Sequence, residues 1–445
     1  MNNVYVEFCR VTGRIKPMHA VNNGPVENSR GLGSKKAFAE AGIPYCRNHD
    51  AAFAEEYGGA HAHDVLNIFR DFDADETDPA NYDFALTDKS VREIYEIGSA
   101  MFYRLGSKIE HEAKKYQTLP PKDFHKYARI CEHIVRHYCY GWAEGMELPI
   151  LYWEIWNEPD LYRPDGSNPC WGGTMEQFYE FYEIVAKHLK ACFPQLKIGG
   201  PAFVGSGNGK RHVRDFVCRM AKNRVPLDFL SWHGYKTDPR DFEEYVLFAK
   251  DLLAENGFEK TETVLNEWNY VKGWGGREMC ESYRTMTNEK GMAFCAGSML
   301  SMQKTPLDLF MYYDARPKCG FNGLFRPFTY ELLKPYYAFW QFNKLYRLEN
   351  EVFSETDSRE LFVGAAKKDG KAAVQIAYYS DEELPDREVS VSLKGLEART
   401  KLIGLLTDRD HDNEKVLELT VPAGDTELVL KLKLHSSLLL TMEDR

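Results

Sequence analysis

The chain has 445 residues, 44% hydrophobic, 28% charged and 13% aromatic, which excludes collagen-like, mucin-like and wholly disordered classes. Its 56 Lys and Arg against 67 Asp and Glu leave a net charge of −11, which disfavours nucleic acid or an anionic membrane as a general partner. The ten cysteines form no CxxC, no run reaches the about 18 apolar residues of a membrane span, and Met1–Lys16 lacks a signal-peptide pattern, so the sequence reads as a cytoplasmic protein with free thiols.

In chain order, short apolar strands alternate with longer helical patterns. Strands are predicted at Ile15–Asn23, Gly42–Asp50, Ser99–Gly106, Ile150–Asn157, Leu196–Phe203, Leu227–Tyr235, Thr261–Tyr270 and Pro306–Ala315. Between them, Phe124, Tyr127, Ile130 and Ile134 recur at helical spacing, and Thr174 with Gln177 forms a capping box for a helix to Ala191. Asp238-Pro239 opens a helix to about Leu253, and further helices cover about 288–303 and 332–345. Eight such units predict an α/β fold, a (β/α)8 TIM barrel over 11–348. A doubly wound sheet needs a Gly-rich phosphate turn after an early strand, and Gly31–Phe38 lacks that spacing. From about Glu351 the pattern changes. The Lys368-Asp369-Gly370-Lys371 turn between alternating strands predicts a C-terminal β-sandwich-like accessory domain over 351–445, with 1–10 as a candidate extra strand.

In such a barrel, reactive groups belong at the C-terminal strand ends. Glu158 follows the fourth strand, and Glu267 stands towards the end of the seventh. Strands four and seven face one another across an eight-strand ring, so these carboxyls are placed to flank a ligand over the barrel mouth. The pair suits glycosidic bond cleavage, where one carboxyl carries a proton for the leaving oxygen and the other attacks the anomeric carbon or activates water. His233 and Tyr235 share a strand face; Arg47 and His49 repeat their spacing at the end of strand two. His19 and Asn22 extend the idea to strand one, and Trp268 is a candidate for stacking on a sugar face. Glu154 lies deeper on the Glu158 strand, with Arg47 as its expected partner, while Asp50 suits either the pocket or a helix cap. His61 and His63 lack a third metal ligand, so neither a metal centre nor a cofactor is expected.

The segment YWEIWNEPD (152–160) resembles the acid/base segment of the large (β/α)8 glycoside hydrolase clan in which Asn-Glu-Pro follows strand four. FLSWHGY (229–235) and TVLNEWNY (263–270) are similar to the strand-six and strand-seven segments of glycoside hydrolase family 39, which includes β-xylosidases and α-L-iduronidases. The resemblance covers about 11–345. It implies a retaining O-glycosyl hydrolase with Glu158 as general acid/base, Glu267 as nucleophile and Asn157 donating to the sugar 2-hydroxyl. Arg47 and His49 match the family's Arg-x-His segment, with His233 and Tyr235 beside the nucleophile and sugar. The implied activity is that of an exo-acting β-xylosidase on short xylo-oligosaccharides or β-xylosides. Arabinose-, galactose- or iduronate-containing glycosides are alternatives, because the long stretch 58–89 departs from a minimal barrel loop. A non-catalytic carbohydrate-binding protein on a hydrolase scaffold is the alternative of another class. The expected partner is an oligosaccharide or glycoside; a homo-oligomer is compatible with the sequence but not fixed by it.

Overall fold

This computed structural model of the chain describes residues 2–28, 30–49, 52–54, 58–110, 113–205, 209–318 and 320–444. Strand β1 (Asn2–Arg14) leads to β2 (Ala20–Asn22), helix α1 (Lys35–Ala41) and β3 (Tyr45–Arg47). A hairpin of β4 (Ala52–Ala54) and β5 (Gly58–His61), a single turn α2 (Val65–Ile68) and helix α3 (Ala85–Glu96) precede β6 (Ala100–Leu105). There follow α4 (Phe124–Tyr140), β7 (Tyr152–Ile155), α5 (Met175–Cys192), β8 (Lys197–Phe203), α6 (Gly209–Lys222) and β9 (Phe229–Lys236). The series ends with α7 (Glu243–Glu255), β10 (Glu262–Tyr270), α8 (Gly276–Thr285), α9 (Glu289–Gln303), β11 (Leu309–Tyr312) and α10 (Lys334–Leu348). Strands β2, β3 and β6 to β11 close into a parallel barrel in the order β10-β11-β2-β3-β6-β7-β8-β9. Each falls within one residue of its predicted span.

Alternation along the strands sorts the side chains. Ala20, Phe102, Tyr152, Phe229, Val264, Leu309 and Met311 point inwards and form an apolar plug. One pleat further along, Asn22, Arg47, Glu154, Ser231 and Asn266 make a polar layer that is fully buried. The outward-facing Val21, Cys46, Tyr103, Trp153, Leu230 and Leu265 join the helices in the main core. The helices start where their caps dictate. Asp123 accepts from the backbone amides of His125 and Lys126 at the head of α4, and Thr174 with Gln177 closes the capping box of α5.

The second unit contains β12 (Asn350–Thr356), β13 (Leu361–Lys368), β14 (Lys371–Tyr378), β15 (Arg387–Leu396), β16 (Thr400–Thr407), β17 (Asp412–Val421), β18 (Gly424–Leu432) and β19 (Ser436–Asp444). With β1 they form one nine-stranded sheet, ordered β17-β16-β19-β14-β13-β12-β1-β15-β18. β1 runs antiparallel to β12 and parallel to β15. The β13–β14 turn places Asp369 and Gly370 at φ 50° and 72°, the left-handed pair that a tight hairpin requires. The sheet encloses its own core, including Val6, Val363, Val374, Val391 and Leu440. Its other face sets Phe362, Ala373 and Leu439 against the barrel through α9 and α10. Pressed from both sides, α9 is buried around nearly its whole circumference. Among the described residues, no helix is long and apolar enough to cross a membrane.

Candidate active site

Strand β7 ends at Ile155, and the chain then bends sharply. Trp156 and Glu158 adopt φ of 75° and 47°, a left-handed conformation uncommon for residues with a side chain. The bend sends the Trp156 ring into the core, where its Nε1 donates to the Cys170 carbonyl at 2.9 Å, and leaves Asn157 and Glu158 over the barrel mouth. Gly106 makes the close crossing feasible, since a Cβ there would stand 3.0 Å from the Trp156 Cα. The Glu158 amide donates to the Ala202 carbonyl at 3.0 Å and fixes the turn against the end of β8.

Glu267 reaches the same place by a different device. The register between β9 and β10 pairs Trp232 with Leu265 but His233 with Glu267, so Asn266 is one residue too many. Strict alternation from the inward Val264 would place Asn266 and Trp268 inside and Glu267 outside. The bulge turns both Asn266 and Glu267 inwards and rotates Trp268 out.

Arg47 organises the floor of the site. Its Nε donates to Glu154 Oε2 at 2.7 Å, Nη1 to Glu267 Oε1 and Asn22 Oδ1 at 2.9 Å each, and Nη2 to Asn157 Oδ1 at 2.7 Å. Ser231 and Asn266 each donate to the other Glu154 oxygen at 2.6 Å. Burial disfavours the guanidinium charge, but Glu154 and Glu267 outweigh it and push the Arg47 pKa up. A permanent cation at the barrel axis is thus shared between two carboxyls.

Tyr235 donates to Glu267 Oε2 at 2.8 Å, and His49 Nε2 lies 3.3 Å from Oε1. His233 bridges the pair: Nδ1 is 2.7 Å from Glu158 Oε1 and Nε2 is 3.4 Å from Glu267 Oε1. An oxygen of Glu158, a ring nitrogen of His233 and an oxygen of Glu267 all lie within 4.8 Å of one another. Burial pulls the His233 pKa down to about 4, so the ring is neutral near pH 7 and holds one proton between two acids. Burial pushes Glu267 above the usual carboxylate range; Arg47 and the Tyr235 hydroxyl oppose this, while Glu158 adds repulsion. The donor spacing would also suit a cation, but the Arg47 guanidinium already supplies positive charge at Glu267.

The structure therefore brings together Glu158, Glu267, Asn157, His233, Tyr235, Arg47 and His49, with Asn22 beneath. It does not bring in His19 or Trp268. His19 precedes β2 on the outward-facing parity; its Nε2 is 3.1 Å from the Gly42 carbonyl and its ring lies against Phe342 and Tyr346. Trp268 stacks on Phe310 with ring centroids 4.2 Å apart, behind the barrel wall rather than beside a ligand. Asp50 lies outside the described residues. His63 is buried edge-on to Tyr103, and Asp64 is held by Arg104 at 2.7 Å.

Several contributors carried no separate sequence signal. Ser231 and Asn266 hold Glu154, and Cys170 Sγ lies 3.8 Å from Glu158 Oε2. Asp160, in the recognised motif but without an assigned role, is buried and raised to about 7 by desolvation, with Glu158 adding repulsion. An aromatic wall rises above Tyr235, with Trp274 5.0 Å and Phe321 5.9 Å from its ring.

Residues 35–269 match the family described as glycosyl hydrolases family 39. A β-xylosidase from Caldicellulosiruptor saccharolyticus is 26% identical over 420 residues, 87% of this chain and 80% of that protein. A glucosidase from Croceicoccus marinus shares the fold with a TM-score of 0.82 at 20% identity, over 100% of this chain and 99% of the other. A monomeric β-xylosidase from Caulobacter crescentus CB15 does so with a TM-score of 0.72 at 16% identity, over 100% of both chains.

Proposed function

The chain belongs to glycosyl hydrolase family 39, and on that footing we propose that it is a retaining, exo-acting β-xylosidase of short xylo-oligosaccharides or simple β-xylosides. The observation that carries the mechanism is that one carboxyl oxygen of Glu158 and one of Glu267 lie within 4.8 Å of each other across His233, the short spacing of a retaining pair. Retention needs carboxyls about 5–5.5 Å apart, whereas inversion needs about 6.5–9.5 Å to admit a water. Glu267 attacks the anomeric carbon while Glu158 gives its proton to the departing oxygen. Glu158, now a carboxylate, takes a proton from water as that water displaces Glu267 and releases the sugar.

The surrounding residues support this division. Arg47 and Tyr235 stabilise the anionic form of Glu267, as a nucleophile requires. Asn157 spends its Oδ1 on Arg47, which turns its amide nitrogen to donate to a sugar hydroxyl. Glu158 and Glu267 are only 8% and 4% exposed, which suits capture of a chain end over passage of a polymer. The β-xylosidase relative favours a pentose without a C6 group. Cytoplasmic residence belongs to the same proposal and draws support from the free thiols of the nine described cysteines.

A panel of aryl β-xyloside, α-arabinoside, β-galactoside, β-glucoside and α-iduronide tests the sugar, with β-xyloside expected to turn over fastest. NMR of the first-formed product reports the stereochemistry, and an inverted anomer would overturn the mechanism. Glu158→Ala should lose about 10²–10⁴-fold in kcat on xylobiose and far less on a nitrophenyl leaving group, which needs little protonation. Wild-type turnover by Glu267→Ala would remove the nucleophile assignment.

A further inference from the structure

The outer surface carries a second convergence of donors, remote from the barrel mouth. Helices α4 and α5 pack side by side. His188 and Cys192 stand one turn apart on α5, and Glu132 faces them from α4. The Glu132 Oε2 lies 2.7 Å from His188 Nε2, and Cys192 Sγ lies 3.9 Å from that same nitrogen. All three donor atoms fall within 4.8 Å of one another. We propose that Glu132, His188 and Cys192 form a binding site for a thiophilic divalent cation of the zinc class, clamping α4 to α5.

The donor chemistry favours this class. One carboxylate, one imidazole and one thiolate match the borderline-soft preference of Zn²⁺, whereas Ca²⁺ and Mg²⁺ want oxygen alone. Bonds of about 2.0–2.3 Å in a tetrahedron put neighbouring donors about 3.3–3.7 Å apart. The nitrogen–sulfur pair must close slightly and the nitrogen–oxygen pair open by under about 1 Å, within reach of side-chain rotation. Arg136 grips the other Glu132 oxygen at 2.7 Å, aiming Oε2 at His188. Arg136 is itself laid over the Phe193 ring at 5.4 Å, which keeps its charge on the far side of the carboxylate.

The proton balance is simple. The cation takes the Nε2 lone pair; the proton that Nε2 donates to Glu132 in the free protein passes to solvent as Nδ1 takes one up, so the ring stays neutral, and the Cys192 thiol releases one proton to solvent as its sulfur bonds the metal. Burial and the nearby Glu132 hold that thiol above its ordinary range, so in the free protein it stays protonated and waits for a metal to displace the proton. Water fills the fourth position.

Cobalt(II) titrated into the chelator-stripped full chain tests the site optically. One equivalent should produce the thiolate-to-cobalt charge-transfer band and intense tetrahedral d–d bands, and Zn²⁺ should erase both. Cys192→Ser should abolish the charge-transfer band. His188→Gln and Glu132→Gln should weaken Zn²⁺ binding by more than the about 10–100-fold that changes outside the coordination sphere cost. Glycosidase turnover in each variant serves as the folding control, since none of the three residues is near Glu158. Cys9, Cys218 and Cys280 are exposed thiols elsewhere. A band that persists in Cys192→Ser, or wild-type affinity in both other variants, would mean adventitious binding and overturn the proposal.

Discussion

Arg47 shows how one side chain sets the character of its surroundings. Its four hydrogen bonds tie β3 to residues from three other barrel strands or their ends: Asn22, Glu154, Asn157 and Glu267. Arg47→Met removes a cation bonded to two buried carboxyls and should cost about 3–5 kcal/mol of folding free energy, read from the urea midpoint. Tyr235→Phe is gentler. It deletes a charge-assisted donor to the anion of Glu267, so the pKa of this proposed nucleophile rises and the acid limb of kcat/KM should move to higher pH by about one unit. An unmoved limb would place the ionisation elsewhere. At this scale the sequence was legible where a charged or polar residue sat at a strand end, because an Arg or Glu there must find a partner. It misled at His19 and Trp268. Trp268 lies one residue from Glu267 and His19 three from Asn22, and only strand parity separates them from the pocket.

Parity is a property of the element, and β10 breaks it. Nothing in Val264-Leu265-Asn266-Glu267-Trp268 announces an extra residue, so counting in twos assigns Trp268 inwards and Glu267 outwards. The bulge is stabilised by what it exposes: Asn266 finds Glu154, and Glu267 finds Arg47 and Tyr235. Asn266→Ala keeps the backbone chemistry but leaves Glu154 a donor short, and should lose about 1–3 kcal/mol together with much of the turnover. Helix starts, by contrast, were plain from local chemistry. Thr174→Ala removes the capping hydrogen bond of α5 and should cost about 1 kcal/mol in thermal or urea unfolding, with kcat unchanged. The His188–Cys192 pair was invisible because its third member, Glu132, sits on the preceding helix and no spacing rule joins them.

Across the whole molecule, burial of neutral histidines makes stability depend on acid. His19 is pulled down to about 3 by burial. Below its unfolded pKa near 6.5 the unfolded chain takes up this proton and the native state does not. Stability is therefore complete above that pH and is lost as pH falls through 6.5 towards 3. The loss is about 1.4 kcal/mol per pH unit for each such group. His19→Gln can keep the donor to the Gly42 carbonyl but cannot titrate, so between pH 6 and 4 its unfolding free energy should fall less steeply than wild type by that slope. Parallel lines would show that the ring titrates in the folded state. The change of periodicity near Glu351 falls in β12 (Asn350–Thr356). The packing of the nine-stranded sheet on the barrel was not legible, because an all-round apolar helix such as α9 shows only that it is covered, never by what.

The position of β1 has a consequence for how the molecule comes into being. A strand translated ahead of the entire barrel lies between two strands translated after it, β12 and β15. While the ribosome is still working through the barrel, both edges of β1 present bare amides and carbonyls to any stray strand that passes. The barrel has all its parts before that wait ends. The sheet can then assemble against finished helices, with α9 and α10 as its template, and β1 is locked down only when β15 arrives.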